Sequence, residues 1–399
     1  MFYENKRFVE GKMDSRHLYI FNPDCELAIA NGSCFYTPSA NVVKMGEDLA
    51  FLPAWLGKPD DMVLVKELPD ASFRNFLSEE LLLRCLPVRE SELDRYSGLV
   101  GVPWGKSPKI CHWLEKKGLG EGWRPEQKEW YSRKKAREGL KLLIQNLPFL
   151  SEDILPHVCY SLSELEQKTG EGYWLVKAPW SSSGKGLLTL KGRPGCKEKE
   201  WLKGMFRRQG YLMLERMLDK VEDFAMEFLA DEQEVNFMGW SSFTTGVHGE
   251  YTGNYLGSQE NIENKLAACL GSEKIKAIRQ EVPRMLRKIL PDYRGYLGVD
   301  MMIYRGKQGD YNLQPCVEIN LRYNMGIVAL FLARNYLCEG TCGEFTIRFY
   351  PQAGQAWQKH HRMLREFPVV YKNNRIKSGY LNLTPVTEAT HFIASLCCY

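Results

Sequence analysis

The chain has 399 residues, 44% of them hydrophobic, enough for two or three domains whose cores stand without disulfides or metal staples. Lys and Arg (53) exceed Asp and Glu (49) by only four, so no field of one sign points to nucleic acid or to a membrane surface. The twelve cysteines are scattered, and the close pairs Cys338 with Cys342 and Cys397 with Cys398 lack the CxxC spacing of a zinc site. The polar N-terminus carries no apolar leader, and no uncharged apolar run approaches the roughly 18 residues of a membrane span. A cytoplasmic protein with reduced thiols is expected.

In chain order, residues 18–120 alternate short apolar runs with helical patterns. Strands are expected at 18–21, 62–65, 84–88 and 99–102, and helices at 71–83 and 109–117. Such alternation favours a parallel sheet covered by helices. The Gly-rich text GLGEGWRP at 118–125 suits a boundary, and a helix follows over 129–145 with Ser132 near its start. Ser161 and Glu164 form a capping box for a short helix, and 173–178 reads as a strand running into a Ser/Gly loop. Further strands are expected at 187–190, 211–214, 223–229, 235–243, 298–304 and 313–320, with helices at 262–270 and 273–290. Short connections such as 305–310 make antiparallel pairing the expectation here. The last forty residues suggest one helix and two strands, with the adjacent His360 and His361 on the surface.

The stretch VEINLRYNMG places Glu318, Asn320, Arg322 and Asn324 two apart, hence on one face of a strand. One carboxylate, two amides and a guanidinium on one side suit a hard cation beside an anionic ligand. A hairpin between 298–304 and 313–320 brings Asp300 to Glu318, and magnesium takes carboxylate oxygens together with phosphate oxygens and water. Asn324 also fits as a cap for a helix starting near Gly326. The alternative, two surface carboxylates on a hairpin, conflicts with the apolar flanks YLGVDMMIY and CVEIN.

The loop WSSSGKG at 180–186 offers hydroxyls, glycines and free backbone N–H groups for phosphate oxygens, with Lys185 as a mobile charge. It lacks the GxxxxGK[ST] order of a P-loop, and a solvated hairpin without a ligand would look the same. Lys177, inside the apolar YWLVKAP, calls for a phosphate or an acidic side chain opposite it, unless it snorkels at the strand end. The crossing LMLERMLDKVEDFAME at 212–227 could wall an adenine ring, with backbone near 215–218 reading its edge and Asp223 accepting from a ribose. A plain strand, turn and strand would have the same text.

Taken in order, Lys177 with its SSSGKG loop, LERML with Asp223, GVD at 298–300 and EINLR at 318–322 resemble the ATP-grasp superfamily over roughly residues 130–345. The resemblance implies an α/β and α+β chain: a Rossmann-like N-terminal domain (1–125), ATP-grasp subdomains A (126–218) and B (219–345), and a C-terminal helix and strands (346–399) packing back on them. It implies ATP and Mg2+ as cofactors. Lys177 takes the phosphate-contacting role, Ser181, Ser182, Ser183, Gly184, Lys185 and Gly186 the mobile loop, and Glu215, Arg216, Leu218 and Asp223 the adenine and ribose contacts. Asp300, Glu318 and Asn320 match the magnesium ligands, and Arg322 the arginine that steadies the transferred phosphate. An earlier phosphate contact stays open among Arg133, Lys134 and Lys135.

The implied reaction activates a carboxylate as an acyl phosphate, which an amine or thiol then attacks. The partners are small-molecule carboxylates and amines, not nucleic acid or membrane. A small-molecule kinase on the same fold and a non-catalytic ATP-binding protein are the alternatives. The second has no use for the full set Lys177, Asp300, Glu318, Asn320 and Arg322. Substrate selection is expected from residues 21–32, 102–105 and 246–257, the last with His248, and from Arg294.

Overall fold

The structure is a computed structural model that describes residues 16–181, 186–246 and 251–399. Four strands, β1 (Arg16–Ile20), β2 (Met62–Leu64), β3 (Leu86–Val88) and β4 (Leu99–Pro103), form a parallel sheet in the order β3-β2-β1-β4. The period of two sorts β1 between two cores. Leu18 and Ile20 pack with Met62, Val88, Leu99 and Leu114, while Tyr19 and Phe21 face the opposite way onto Leu52 and Trp55.

A second four-stranded sheet, antiparallel, contains β5 (His157–Cys159), β6 (Tyr173–Lys177), β7 (Leu187–Lys191) and β8 (Leu212–Arg216) in the order β5-β8-β6-β7. The helices Leu162–Lys168 and Cys196–Gln209 cover it. Only half of the expected capping box forms: Ser161 Oγ accepts from Glu164 N–H, but Glu164 Oε2 accepts from Tyr160 N–H, one residue before the cap, instead of from Ser161 N–H.

The third sheet has nine strands. They are β9 (Asp219–Ala230), β10 (Val235–Thr245), β11 (Tyr251–Leu256), β12 (Gly295–Arg305), β13 (Tyr311–Asn320), β14 (Gly343–Phe349), β15 (Val370–Lys372), β16 (Arg375–Asn382) and β17 (Phe392–Cys398). Their order is β13-β12-β9-β10-β11-β14-β17-β16-β15. The helices Arg133–Asn146, Gln259–Leu270 and Ser272–Ile289 bury the largest core against its first strands. Gly139 admits the close helix crossing: a β-carbon there would stand 2.5 Å from Met285 Sδ.

Several expectations need correction. The helix expected over 129–145 starts at Arg133, because Ser132 has extended backbone and spends its hydroxyl on Glu129 O; residues Pro125–Tyr131 are a 3-10 turn instead. The C-terminal segment has three strands, not two, and they join the nine-stranded sheet together with β14. His360 is buried and bonded to Tyr380 Oη, while burial pulls its pKa down to about 4; it is a core residue, not a surface one. All twelve cysteines are free. Among the described residues no helix is long and apolar enough to cross a membrane.

The N-terminal sheet and the C-terminal strands share one core. Ile327, Val328 and Leu332 of the helix Met325–Tyr336, with Phe345, Leu381 and Leu396, pack against Leu52 and Trp55, and the Trp55 indole donates to Leu383 O at 2.8 Å.

Candidate functional site

The β12–β13 hairpin sets Asp300 directly opposite Glu318. Beyond that pair the register slips, since Met302 already faces Gln314; Pro315 sits in the slip, on the edge strand, where a missing N–H is tolerated. Asn320 Nδ2 donates to Asp300 Oδ2 at 3.0 Å. Burial first, and the Glu318 carboxylate second, push the Asp300 carboxyl up to about 7.

Arg133, the first residue of its helix, reaches across to this hairpin. Its Nη2 lies 3.1 Å from Glu318 Oε1, its Nε donates to Ala178 O at 3.1 Å, and Nη2 also reaches Ser181 Oγ at 3.4 Å. Of the three basic residues left open by sequence, Arg133 is the one at the site. Lys134 lies over the rings of Tyr160 and Tyr211, and Lys135 pairs with Glu138.

Lys177 closes β6 and is buried against an acid, Glu215, on the neighbouring β8. Arg133, Lys177, Glu215 and Val317 line one cleft between the two antiparallel sheets. Ser181 is buried at the cleft's edge, and Ala178 N–H bonds to Gly186 O across the loop neck. Ser182, Ser183, Gly184 and Lys185 lie outside the described residues, as does His248.

The remaining expected residues are less concentrated. Arg216 stacks its guanidinium on Trp174, 4.5 Å from the ring centroid, and Leu218 packs against the large core. Asp223 Oδ2 accepts from Lys220 Nζ at 2.7 Å and from Thr245 Oγ1 at 2.8 Å. Arg294 is exposed and donates to the carbonyls of Pro291 and Tyr293.

Arg322 lies just beyond β13. Its Nη2 donates to Asn320 Oδ1 at 3.1 Å and its Nε to Glu26 Oε1 at 3.0 Å. Burial opposes the charge most, but Glu26, Cys25 and Glu318 together outweigh it and hold the guanidinium pKa above its ordinary value. Glu26 belongs to the helix Cys25–Asn31 that follows β1, at the carboxyl edge of the parallel sheet, where open α/β sheets bind ligands. Asn22, in the same turn, exchanges two hydrogen bonds with Gly105 after β4. The 21–32 and 102–105 segments named from sequence therefore meet at Arg322.

Asn324 caps the helix Met325–Tyr336 as expected, accepting from Ile327 N–H at 3.0 Å. Its amide also donates to Glu227 Oε2 at 2.8 Å. Sequence reasoning passed over Glu227, which is fully buried on β9 and whose carboxyl desolvation pushes up to about 8. A lone acid inside the apolar run FAMEFLA was the available signal.

Asp300, Glu318 and Asn320 offer oxygen donors within one hairpin end, which suits a hard cation. Among the described residues no group of three or more His, Cys, Asp or Glu could cage a metal, so such a cation needs oxygens from a ligand or from water.

No protein-family model matches the chain, and no curated protein matches it by sequence. Solved structures do match. A biotin carboxylase–β,γ-ATP complex from Campylobacter jejuni aligns at TM-score 0.54 and 11% identity, covering 97% of this chain and 88% of that one. The biotin carboxylase domain of a Hydrogenobacter thermophilus 2-oxoglutarate carboxylase, with magnesium ADP and bicarbonate, aligns at 0.51 and 10%, covering 97% and 86%. An L-amino acid ligase from Bacillus licheniformis aligns at 0.50 and 14%, covering 97% and 94%. At these identities the likeness is one of fold. The parallel sheet followed by two antiparallel sheets around a cleft is the ATP-grasp architecture expected from the sequence.

Proposed function

We propose that the chain is an ATP-dependent ligase that activates a small carboxylate as an acyl phosphate with Mg-ATP and joins it to an amine or thiol. The observation that supports this most is the register that sets Asp300 opposite Glu318, with Asn320 bonded to one and Arg133 to the other, inside an ATP-grasp fold. In this reading residues 126–218 and 219–345 are the two halves that hold the nucleotide, 1–125 contributes to the substrate side, and 346–399 braces both.

Asp300, Glu318 and Asn320 would hold magnesium. A buried carboxyl raised by a second carboxylate is the kind of group a cation relieves. When bound there, the metal would supply charge neutralisation for the phosphates. Arg133 and Lys177 line the cleft and suit the phosphates. Glu215, Arg216, Leu218 and Asp223 form the crossing assigned to adenine and ribose. Arg322, bonded to Asn320, would stabilise negative charge on the reacting acyl phosphate. The barrier falls by positioning and charge stabilisation, with no protein nucleophile in the scheme.

The test is phosphate release from Mg-ATP over pairs of amines and small carboxylates. Release that needs both co-substrates and yields a joined product supports the ligase. A stable phosphorylated product from one substrate would instead mark a kinase. Glu318→Ala should abolish magnesium-dependent turnover while the circular dichroism spectrum stays native; a fully active variant would remove the metal assignment.

A further inference from the structure

Three basic groups of the candidate site are paired with acids: Arg133 with Glu318, Lys177 with Glu215, and Arg322 with Glu26. Arg137, which also lines the cleft, donates instead to Pro156 O. The first of the three pairs differs from the others, because under the function proposed above its two halves are wanted by ligands of opposite sign. Glu318 is wanted by the cation and Arg133 by the phosphate.

We infer that Arg133 and Glu318 are one exchangeable ion pair, released together when a divalent cation takes the carboxylate and a nucleotide phosphate takes the guanidinium, so that metal and nucleotide each bind weakly alone and tightly together. This rests on the nucleotide-binding reading of the cleft.

The enclosure of Arg133 carries the argument. The Arg133 side chain is 10% exposed and that of Glu318 27%, so the guanidinium has little access to bulk water when its partner leaves, while the carboxylate keeps partial access. A divalent cation arriving alone would take Glu318 and leave Arg133 buried beside a like charge. Its other acceptors, Ala178 O and Ser181 Oγ, are neutral and cannot offset that charge. A nucleotide arriving alone would bring phosphates against Asp300 and Glu318, two carboxylates already facing each other across the hairpin. Arriving together, each ligand finds the partner the other has released, and the number of buried charge pairs does not fall. Linkage then requires that each ligand improve the other's affinity by the same factor. Because Arg133 also holds Ala178 and Ser181, the exchange acts at the neck of the 181–186 loop.

The experiment uses the full chain and equilibrium binding, with Mn2+ as the metal and a non-hydrolysable ATP analogue. Titration calorimetry and the Mn2+ paramagnetic resonance signal read each ligand with and without the other. For the unaltered protein each ligand should tighten the other at least roughly tenfold, the scale of a charge-assisted hydrogen bond. Arg133→Gln should move two affinities in opposite directions: Mn2+ alone binds tighter, by about five- to tenfold, while the analogue with Mn2+ binds weaker. Arg133→Lys keeps the charge and should leave Mn2+ alone as weak as in the parent.

A phosphate ligand with no bond to exchange would leave Mn2+ affinity unchanged in Arg133→Gln, and a structural residue would weaken both; either result overturns the inference. So does a coupling factor near one in the unaltered protein, which needs no variant to fold. If the unaltered protein binds no analogue at any metal concentration, the nucleotide site itself is refuted, an outcome distinct from binding without coupling.

Discussion

Arg322 and Glu26 stand 296 positions apart in the chain and meet at 3.0 Å, Nε to Oε1. The bond docks the end of β13 onto the first helix after β1, and two neighbours reinforce it. Tyr323 N–H donates to Trp104 O at 2.9 Å, and a β-carbon on Gly105 would lie 3.1 Å from Arg322 Cβ and 2.6 Å from Cys25 Sγ. Glu26→Ala leaves a buried guanidinium with only Asn320 and a carbonyl as acceptors. It should cost about 2 kcal/mol of stability, read by urea unfolding at pH 7. Glu26→Gln, which keeps the acceptor oxygen, should lose less. Equal losses in the two variants would mean that charge carries the whole contact.

Gly326 opens the helix Met325–Tyr336 directly against Glu227. A β-carbon there would overlap Glu227 Oε1 and come within 2.5 Å of Ser241 Oγ. Gly326→Ala should therefore destabilise the fold by about 1–3 kcal/mol, despite the better helix propensity of alanine. At Gly139 the obstacle is the flexible end of Met285, and alanine should be nearly neutral there. Thermal melting of the two variants side by side gives the comparison; similar losses would disprove the packing argument.

Glu227 supplies the pH dependence. Its carboxyl ionises near 8 in the folded chain and near 4.3 when unfolded. Over that interval the folded state holds a proton that the unfolded state releases. The stabilising contribution is thus complete below about pH 4, declines as pH rises towards 8, and levels above. Glu227→Gln keeps an acceptor for Asn324 without the ionisation, so it should gain on the parent by on the order of 1–3 kcal/mol between pH 5 and pH 8. Parallel stability profiles for the two proteins would assign the slope to other groups.

Lys177 is held by Glu215 and faces the cleft. Lys177→Ala should weaken binding of a magnesium–nucleotide complex by about 1–3 kcal/mol, the value of a lost charge-assisted contact. An unchanged dissociation constant by calorimetry would take Lys177 out of the site.

The hairpin that carries Asp300 and Glu318 was legible from local sequence. Apolar flanks surround each acid and a short connection joins the two strands, so a hairpin was expected to bring the acids together, and Asp300 does face Glu318. The parallel sheet was legible from apolar runs at regular spacing. Partnerships across long stretches of chain were not. Nothing near Arg322 names Glu26, and nothing near Glu318 selects Arg133 over Lys134, since the choice depends on which way the first turn of a helix faces. The charged helix Cys196–Gln209 was passed over although Trp201, Leu202, Met205 and Phe206 mark its apolar face. His360 was misread because its burial comes from Tyr380, twenty residues on.

The hydrogen bond from the Trp55 indole to Leu383 O sets a schedule for synthesis. The sheet made first offers Tyr19, Phe21 and Trp55 to a core whose other wall includes Phe345, Leu381 and Leu396. During translation that apolar face waits for more than three hundred residues before its cover exists. Shortened products of this chain should therefore expose it, and stalled or truncated synthesis is where chaperone binding and aggregation would concentrate.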